Sequence, residues 1–260
     1  MIRAWLELCR VSNVPTVWSN VLHGLGVGLF VRVVEPVRGI AGEQGAPPFT
    51  WADAGRVLDQ AFVLMAAMSL LYAGGMVLND ACDARVDADE RAGRPIPSGR
   101  VSRRSAWVGA AGMLTLGWLL TLVYRPAVGV SAGALVGLIV AYNLLHRWRV
   151  AGLLLMPLCR AGVVVSAALA VGWGVPLDGG AALRIAFSAA AVAGYTLAVT
   201  LVAWSEAKRP RLAAWVGVMI AAMPAVDAVY LTAFGMGPLA VVCLGCGVLA
   251  YVGQRWVRGS

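Results

Sequence analysis

The chain has 260 residues, of which 60% are hydrophobic and 13% are charged, and its formal net charge is +8. Soluble globular domains are not this apolar, so the composition excludes that class and indicates an integral membrane protein. The positive charge does not predict nucleic-acid binding, because its distribution along the chain follows membrane topology.

Apolar runs of about 20 residues, the length that crosses ~30 Å of hydrocarbon, recur along the whole sequence. We predict eight spans joined mostly by short connections, and therefore one all-α transmembrane bundle over residues 1–260 with no second domain. The predicted spans are 14–34, 61–80, 105–124, 127–146, 151–173, 182–204, 212–231 and 237–256.

The basic residues alternate across these spans. Fifteen of the 21 Lys and Arg residues lie before span one, after span eight, or in the connections two to three, four to five and six to seven. Connections rich in Lys and Arg remain on the cytoplasmic side of a membrane. We therefore predict a protein of the cytoplasmic (inner) membrane, surrounded by membrane lipid, with both termini cytoplasmic.

The end of the second span carries a row of acidic and amide side chains. Asn79, Asp83 and Asp87 are four residues apart, so on a helix they lie along one face, with Asp80 at the edge of that stripe. Like charges at this spacing repel one another unless a cation lies between them. Carboxylates at the mouth of a membrane span are also costly, so the row indicates a functional site that binds cations.

The connection after this span contains paired prolines, glycines and several arginines between residues 89 and 102. Arginines in such a shaped loop are suited to phosphate oxygens. Carboxylate oxygens suit Mg²⁺, which keeps several waters and is usually shared with substrate phosphates. The two motifs together favour a diphosphate held between Mg²⁺ and arginine. A solvated cytoplasmic loop explains the composition of the loop, taken alone, about equally well.

Two motifs carry a resemblance to a known family. The sequence Asn79-Asp80-x-x-Asp83-x-x-x-Asp87, followed by Arg94-Pro95-x-Pro97-Ser98-Gly99, resembles the first signature of the UbiA family of membrane prenyltransferases. The segment 142–147 and the pair Arg10 and Asn13 are similar to further family segments. The resemblance implies eight or nine spans and a polar site at the cytoplasmic face. It also implies Mg²⁺-dependent transfer of a prenyl chain from its diphosphate to an acceptor, usually an aromatic ring.

The resemblance also implies roles for individual residues. The implied Mg²⁺ ligands are Asn79, Asp83 and Asp87, of which the two aspartates are catalytic candidates. The residues implied to contact the diphosphate are Asn79, Arg94, His146 and Arg147. His146 stands where the family has a lysine, and capping of a helix C-terminus explains this histidine about equally well.

The end of span six departs from the family pattern. The family has several carboxylates near this helix end, whereas Glu206 is the only one here. A lone glutamate at this point is similar to the EboC-like branch of the family, and we predict Glu206 as a third catalytic candidate. The departure leaves three alternatives: one-metal catalysis, an unusual donor or acceptor, or a protein that binds or transports an isoprenoid without turnover.

Polar side chains inside the spans are candidates for an acceptor pocket. An unpaired guanidinium within a span would cost at least ~2.5 kcal/mol, so Arg160 should face a cavity or a partner. It would contact an acceptor carboxylate or phosphate, or pair with Asp227, although Asp227 should lie nearer the opposite membrane face. The other pocket candidates are Asn13 and Asn20. An interhelical hydrogen bond is the better explanation for His23.

Overall fold

The computed structural model describes residues 1–36, 49–171, 177–206 and 212–257, and the side chains of Glu206 and of residues 212–214 lie outside what it describes. Over these ranges the chain forms nine α-helices and no strand, which confirms the all-α prediction. The helices are α1 (Ile2–Leu8), α2 (Val14–Leu29), α3 (Trp51–Glu90), α4 (Arg103–Tyr124), α5 (Pro126–Leu145), α6 (Arg149–Leu169), α7 (Gly179–Glu206), α8 (Leu212–Ala233) and α9 (Gly237–Trp256).

Eight helical segments of the described chain are long and apolar enough to cross a membrane, and each coincides with a predicted span. The largest difference concerns α3, which has 40 residues and extends about ten residues beyond the predicted span 61–80 at each end. Hydropathy detects only the apolar part of a helix. The start of α3 is instead stabilised by a capping box, in which Thr50 and Asp53 form reciprocal hydrogen bonds. The row at residues 79–87 therefore lies within a continuous helix and not at its end.

Helix α2 is the centre of the bundle. It packs against α3, α6, α7, α8 and α9, and 13 of its 16 residues are buried. Gly24 and Gly28, one turn apart, allow its backbone to touch that of α6. A Cβ added at Gly28 would lie 2.5 Å from the carbonyl oxygen of Ala168. This close approach brings Arg160 of α6 within reach of the polar side chains of α2.

The other helices follow one another around α2, with contacts between each consecutive pair from α3 to α9. Large apolar side chains remain exposed on their outward faces, among them Leu116 of α4, Phe187 of α7 and Leu244 of α9. Such faces are stable against hydrocarbon, whereas charged groups must turn inward or lie at the helix ends. The protein is therefore an integral membrane protein whose polar side chains gather inside the bundle or at the helix ends.

Candidate functional site

The carboxylates of α3 face the inside of the bundle. Asp80 and Asp87 are only 3% and 5% exposed, and Asp83 between them is half-buried. Asp80 is thus more than an edge residue of the stripe, because the buried face of α3 here follows a seven-residue spacing in addition to the four-residue one. Asn79 is half-buried, and its side chain makes no hydrogen bond with any described residue.

Arg94 enters this face from the loop between α3 and α4. Its Nη1 donates to Oδ2 of Asp87 at 2.6 Å and lies 3.7 Å from Oδ1 of Asp80. The loop folds back on itself: the amide of Ser98 donates to the carbonyl of Arg94, and Gly99 turns the chain with a φ of 74°. The motif that suggested a shaped loop therefore places a guanidinium, 7% exposed, between two carboxylates.

A second guanidinium comes from the kink between α1 and α2. Arg10 has φ 47° and ψ 47°, a left-handed conformation that is strained for a residue other than glycine. Its Nη2 lies 3.4 Å from Oδ1 of Asp80, and its buried Nε has no partner among the described residues. Strained backbone of this kind collects at functional sites. In the sequence, Arg10 stands out only through the family resemblance, because no local pattern predicts the kink that turns it towards Asp80.

The end of α5 supplies cations to the remaining carboxylate. Nε2 of His146 lies 3.1 Å from the Asp83 carboxylate, and Nη2 of Arg147 lies 3.4 Å from Oδ1 of Asp83. Nδ1 of His146 lies 3.1 Å from the carbonyl oxygen of Asn143. Both ring nitrogens thus lie beside oxygen atoms, and His146 joins Arg147 in the group that surrounds the Asp83 carboxylate.

Each carboxylate of the row consequently has a cation beside it. We call the row and its cations the ionic cluster: Arg10, Asp80, Asp83, Asp87, Arg94, His146 and Arg147. Among the described residues no three His, Cys, Asp or Glu side chains form a group that could by itself hold a metal ion. The oxygens of Asn79, Asp83 and Asp87 nevertheless fit Mg²⁺, because this ion binds through one or two carboxylates together with water and substrate phosphates.

An apolar cavity adjoins the ionic cluster between α2, α3, α5 and α6. Its space amounts to about 530 Å³, part of which is open to solvent. Tyr142 and Asn143 line it near the cluster, and Tyr72 and Arg160 line it deeper. Tyr72 precedes Asp83 by eleven residues on one helix, which separates them by about 16 Å along the axis. The cavity therefore leads from charged groups into the apolar interior.

Arg160 borders this cavity and is anchored to α2. Its Nη1 donates to Oδ1 of Asn20 and its Nη2 to Oγ1 of Thr16, both at 3.0 Å. Its guanidinium carbon lies 5.5 Å from the centre of the Tyr72 ring. Arg160 thus faces both a cavity and hydrogen-bond partners, as expected for a guanidinium within a span.

Asn20 continues the contact towards α8. Its side-chain nitrogen donates to both carboxylate oxygens of Asp227, at 3.2 and 2.9 Å. Nδ1 of His23 lies 2.7 Å from Asp227, and Nε2 of His23 lies 2.5 Å from Oγ of Ser188 on α7. All four of these side chains are fully buried. With Thr16 and Arg160 they form what we call the buried network.

The acceptor-pocket candidates are thus separated. Arg160 lines the cavity, whereas Asn20 lies behind it and Asn13 accepts a hydrogen bond from Gln254 of α9 at 2.9 Å, so neither asparagine is among the lining residues. Asp227 reaches Arg160 through Asn20. The side chain of Glu206 lies outside the described residues, and its catalytic role stays a prediction.

Over the described ranges, a central buried helix, seven further spans and an ionic cluster beside an apolar cavity define a helical membrane protein with a polar site inside its bundle. The chain matches the UbiA prenyltransferase family over residues 45–259, and it belongs to this family. Its placement in the EboC-like branch stays a prediction.

Similar proteins support the family and the fold. Digeranylgeranylglyceryl phosphate synthase of Methanopyrus kandleri is 40% identical over 101 residues, which are 38% of this chain and 35% of the relative. The chain therefore aligns with only about a third of that relative's length.

Two solved structures share the fold at low identity. The apo structure of a UbiA homologue from Aeropyrum pernix K1 has a TM-score of 0.57 and 17% identity, covering 93% of this chain and 97% of its own. A UbiA homologue from Archaeoglobus fulgidus bound to GPP and Mg²⁺ has a TM-score of 0.55 and 13% identity, covering 97% and 87%.

Proposed function

We propose that this protein transfers a prenyl chain from a prenyl diphosphate to an acceptor, an aromatic ring or another small molecule, within the membrane. The observation that carries the proposal is the ionic cluster at one end of an apolar cavity. Such an arrangement suits a ligand with a highly charged head and a hydrocarbon tail, because both parts meet matching surroundings. Membership of the UbiA family supports the same reaction class.

Exchange of partners within the cluster would admit the diphosphate. Guanidinium groups bind phosphate oxygens in bidentate geometry, and Arg10 and Arg147 are partly exposed with contacts of 3.4 Å, so they are suited to leave their carboxylates for the ligand. Arg94 would contact the diphosphate from its buried position beside Asp87. His146, 3.1 Å from the Asp83 carboxylate, would add a ring N–H donor for the phosphate oxygens. The carboxylates released in this way would be free to bind a metal ion that accompanies the diphosphate.

Asn79, Asp83 and Asp87 would hold Mg²⁺, which when bound supplies neutralisation of the leaving diphosphate. Arg94 and His146 would stabilise the same developing charge, so that the allylic C–O bond breaks with carbocation character. The apolar wall of the cavity would shield the prenyl carbocation from water, and Tyr142 and Tyr72 in that wall would bring aromatic rings near it. An electron-rich acceptor then attacks, and we infer Glu206 as the base to test for removal of its proton.

A second candidate function is binding or transport of an isoprenoid or another lipid intermediate without turnover. The end of α7 favours it: the described side chains of residues 196–205 include no carboxylate. The hydroxyl groups of Thr196, Thr200 and Ser205 donate to backbone carbonyls four residues earlier in the same helix. No second acidic row therefore faces α3 from this stretch.

The decisive experiment measures binding and turnover separately in purified protein in lipid nanodiscs. With Mg²⁺ and an acceptor panel, we expect diphosphate release from a C10 to C20 prenyl diphosphate, and Asp83→Ala should reduce it at least about 100-fold because it removes charge stabilisation of the transition state. Chelation of Mg²⁺ should have the same effect. Asp89→Ala, an exposed change on the same helix, is the matched control and should retain activity.

The outcomes separate the two functions. Asp83-dependent binding of the prenyl diphosphate with no turnover for any acceptor would support the binding or transport function. Absence of binding to the wild-type protein would contradict both functions.

We infer further that the protein lies in the cytoplasmic membrane and that both of its termini are on the cytoplasmic side. The positive-inside distribution of basic residues supports this orientation. A fluorescent reporter fused after residue 260 should fold and fluoresce, whereas a periplasmic phosphatase fused there should remain inactive. The opposite pair of results would contradict the orientation.

A further inference from the structure

Arg160 is the charged side chain among the residues that line the cavity. Its two terminal nitrogens are held by Asn20 and Thr16, and its plane lies near the ring of Tyr72. These three contacts come from two helices and fix the guanidinium in one orientation. A guanidinium has five N–H donors, so a fixed one at a cavity wall is suited to bind an oxygen atom of a ligand.

The charge of Arg160 is already balanced within the buried network. Asp227 carries the opposite charge and is connected through the Asn20 amide instead of by direct contact. The hydrogen bonds of His23 need no further charge, because Nδ1–H can donate to Asp227 while Nε2 accepts from the hydroxyl of Ser188. The formal charges of Arg160 and Asp227 therefore cancel within the network.

This balance decides which ligand groups the deep end of the cavity can hold. Beside the balanced network, a carboxylate would leave one net negative charge in the apolar interior and a phosphate one to two, which is strongly unfavourable. A neutral oxygen, such as the carbonyl of a ketone, quinone or ester, accepts a charge-assisted hydrogen bond from Arg160 and adds no charge.

We propose that Arg160 forms a subsite for an uncharged oxygen group of the acceptor, and that the buried network makes this subsite reject anionic groups. This inference rests on the proposed prenyl transfer, because it gives the cavity's second ligand its chemical class. It replaces the expectation that Arg160 contacts an acceptor carboxylate or phosphate. An anionic group on an acceptor would instead remain near the ionic cluster, where cations are exchangeable.

The order Ser188, His23, Asp227 has the hydrogen-bond pattern of a nucleophilic triad, which suggests another use for the network. Ser188 and His23 are fully buried and are not among the residues that line the cavity. A nucleophile must reach its substrate, so these residues act as positioning residues that hold Asp227 and, through Asn20, Arg160.

The test measures binding of matched probes to the full-length protein in nanodiscs by equilibrium dialysis. The pairs are methyl 4-hydroxybenzoate against 4-hydroxybenzoate, and the methyl ester of 6-hydroxy-2-naphthoate against its acid. Each ester should bind more than about tenfold better than its acid, after subtraction of empty nanodiscs. Partition into lipid is identical for all variants, so comparison between variants removes it.

Asp227→Asn is the informative variant because it keeps the shape of the side chain and removes the balancing charge. Arg160 then becomes an uncompensated cation, and the preference should shift by about tenfold or more towards the acids. The double variant Arg160→Gln with Asp227→Asn restores neutrality without the guanidinium. It should bind ester and acid with no preference that depends on this site. Asp89→Asn should behave as the wild-type protein.

Binding of a C10 prenyl diphosphate with Mg²⁺ is measured on every variant. It reports folding, and it tests the proposed function independently of the subsite. The inference is overturned if no ester binds better than its acid, or if Asp227→Asn leaves the ester-to-acid ratio unchanged while prenyl diphosphate binding persists. Loss of prenyl diphosphate binding from the wild-type protein would instead contradict the proposed function.

Discussion

The ionic cluster and the buried network solve the same problem, charges inside a membrane bundle, in different ways. In the cluster, carboxylates contact cations directly, and several of these groups are partly exposed: Arg10, Asp83, His146 and Arg147. In the network, Arg160 and Asp227 are separated by Asn20, and neutral side chains satisfy the remaining hydrogen bonds. Partly solvated pairs, such as Arg147 with Asp83, contribute little stability and can be replaced, whereas buried pairs, which include Arg94 with Asp87, cannot lose one partner cheaply.

The difference teaches which region is suited to change during function. Most contacts of the cluster measure 3.1 to 3.7 Å, whereas those of the network measure 2.5 to 3.2 Å. The cluster takes its cations from three separate segments, the α1–α2 kink, the α3–α4 loop and the end of α5. A ligand with more charge than any one carboxylate can therefore draw these cations together. The network instead supports one fixed arrangement.

The largest effect is expected in the network. Asp227→Ala removes the charge that balances Arg160 and leaves the nitrogens of Asn20 and His23 without an acceptor, so it should destabilise the protein by about 3–5 kcal/mol. Loss of helicity in an SDS titration measures this change. The double variant Asp227→Leu with Arg160→Met should recover most of the loss, because apolar replacement of a whole buried pair is often neutral. A double variant as unstable as Asp227→Ala would contradict this account of the charge pair.

An intermediate effect is expected at Arg94, the most buried cation of the cluster. Arg94→Ala removes charge-assisted hydrogen bonding to Asp87 and should lower stability by about 1.5–3 kcal/mol in the same titration. It should also weaken binding of prenyl diphosphate at least about tenfold, because it removes a guanidinium that would contact the diphosphate and leaves Asp80 and Asp87 to repel it. Arg91→Ala, an exposed change in the same loop, is the control. Equal losses in both variants would show that loop folding, and not the position of Arg94, is responsible.

Much of the fold was predictable because membrane spans obey a single strong rule. Apolar length alone located all eight spans, and charge spacing located the row on α3. The length of α3 was underestimated, since its polar ends are held by capping and not by hydropathy. The contact between Asp80 and Arg10 depends on a left-handed backbone conformation at Arg10, which the residue types in this segment do not predict.

The buried network was predictable only in part. Asn20, His23 and Asp227 each carry a polar group that needs a partner inside a span, and this signal is visible in the sequence. The pairing is not visible, because Asn20 and Asp227 are 207 residues apart and meet only when α2 packs at the centre of the bundle. Ser188 carried even less signal, since a serine within a span usually bonds to its own helix.

The smallest effect is expected at His146, and it sharpens the contrast between the two regions. His146 and Asp83 are 18% and 19% exposed, so solvent screens their interaction and it should contribute no more than about 1 kcal/mol. His146→Gln should therefore weaken prenyl diphosphate binding by at most about fivefold, with stability nearly unchanged. His146→Lys places a fixed cation at the same position and should restore or improve binding, measured by equilibrium dialysis with Mg²⁺ present. If His146→Gln weakened prenyl diphosphate binding as much as Arg94→Ala, the histidine would be held as firmly as the groups of the buried network. The partly exposed groups of the cluster would then not exchange partners, which would contradict the contrast between the two regions.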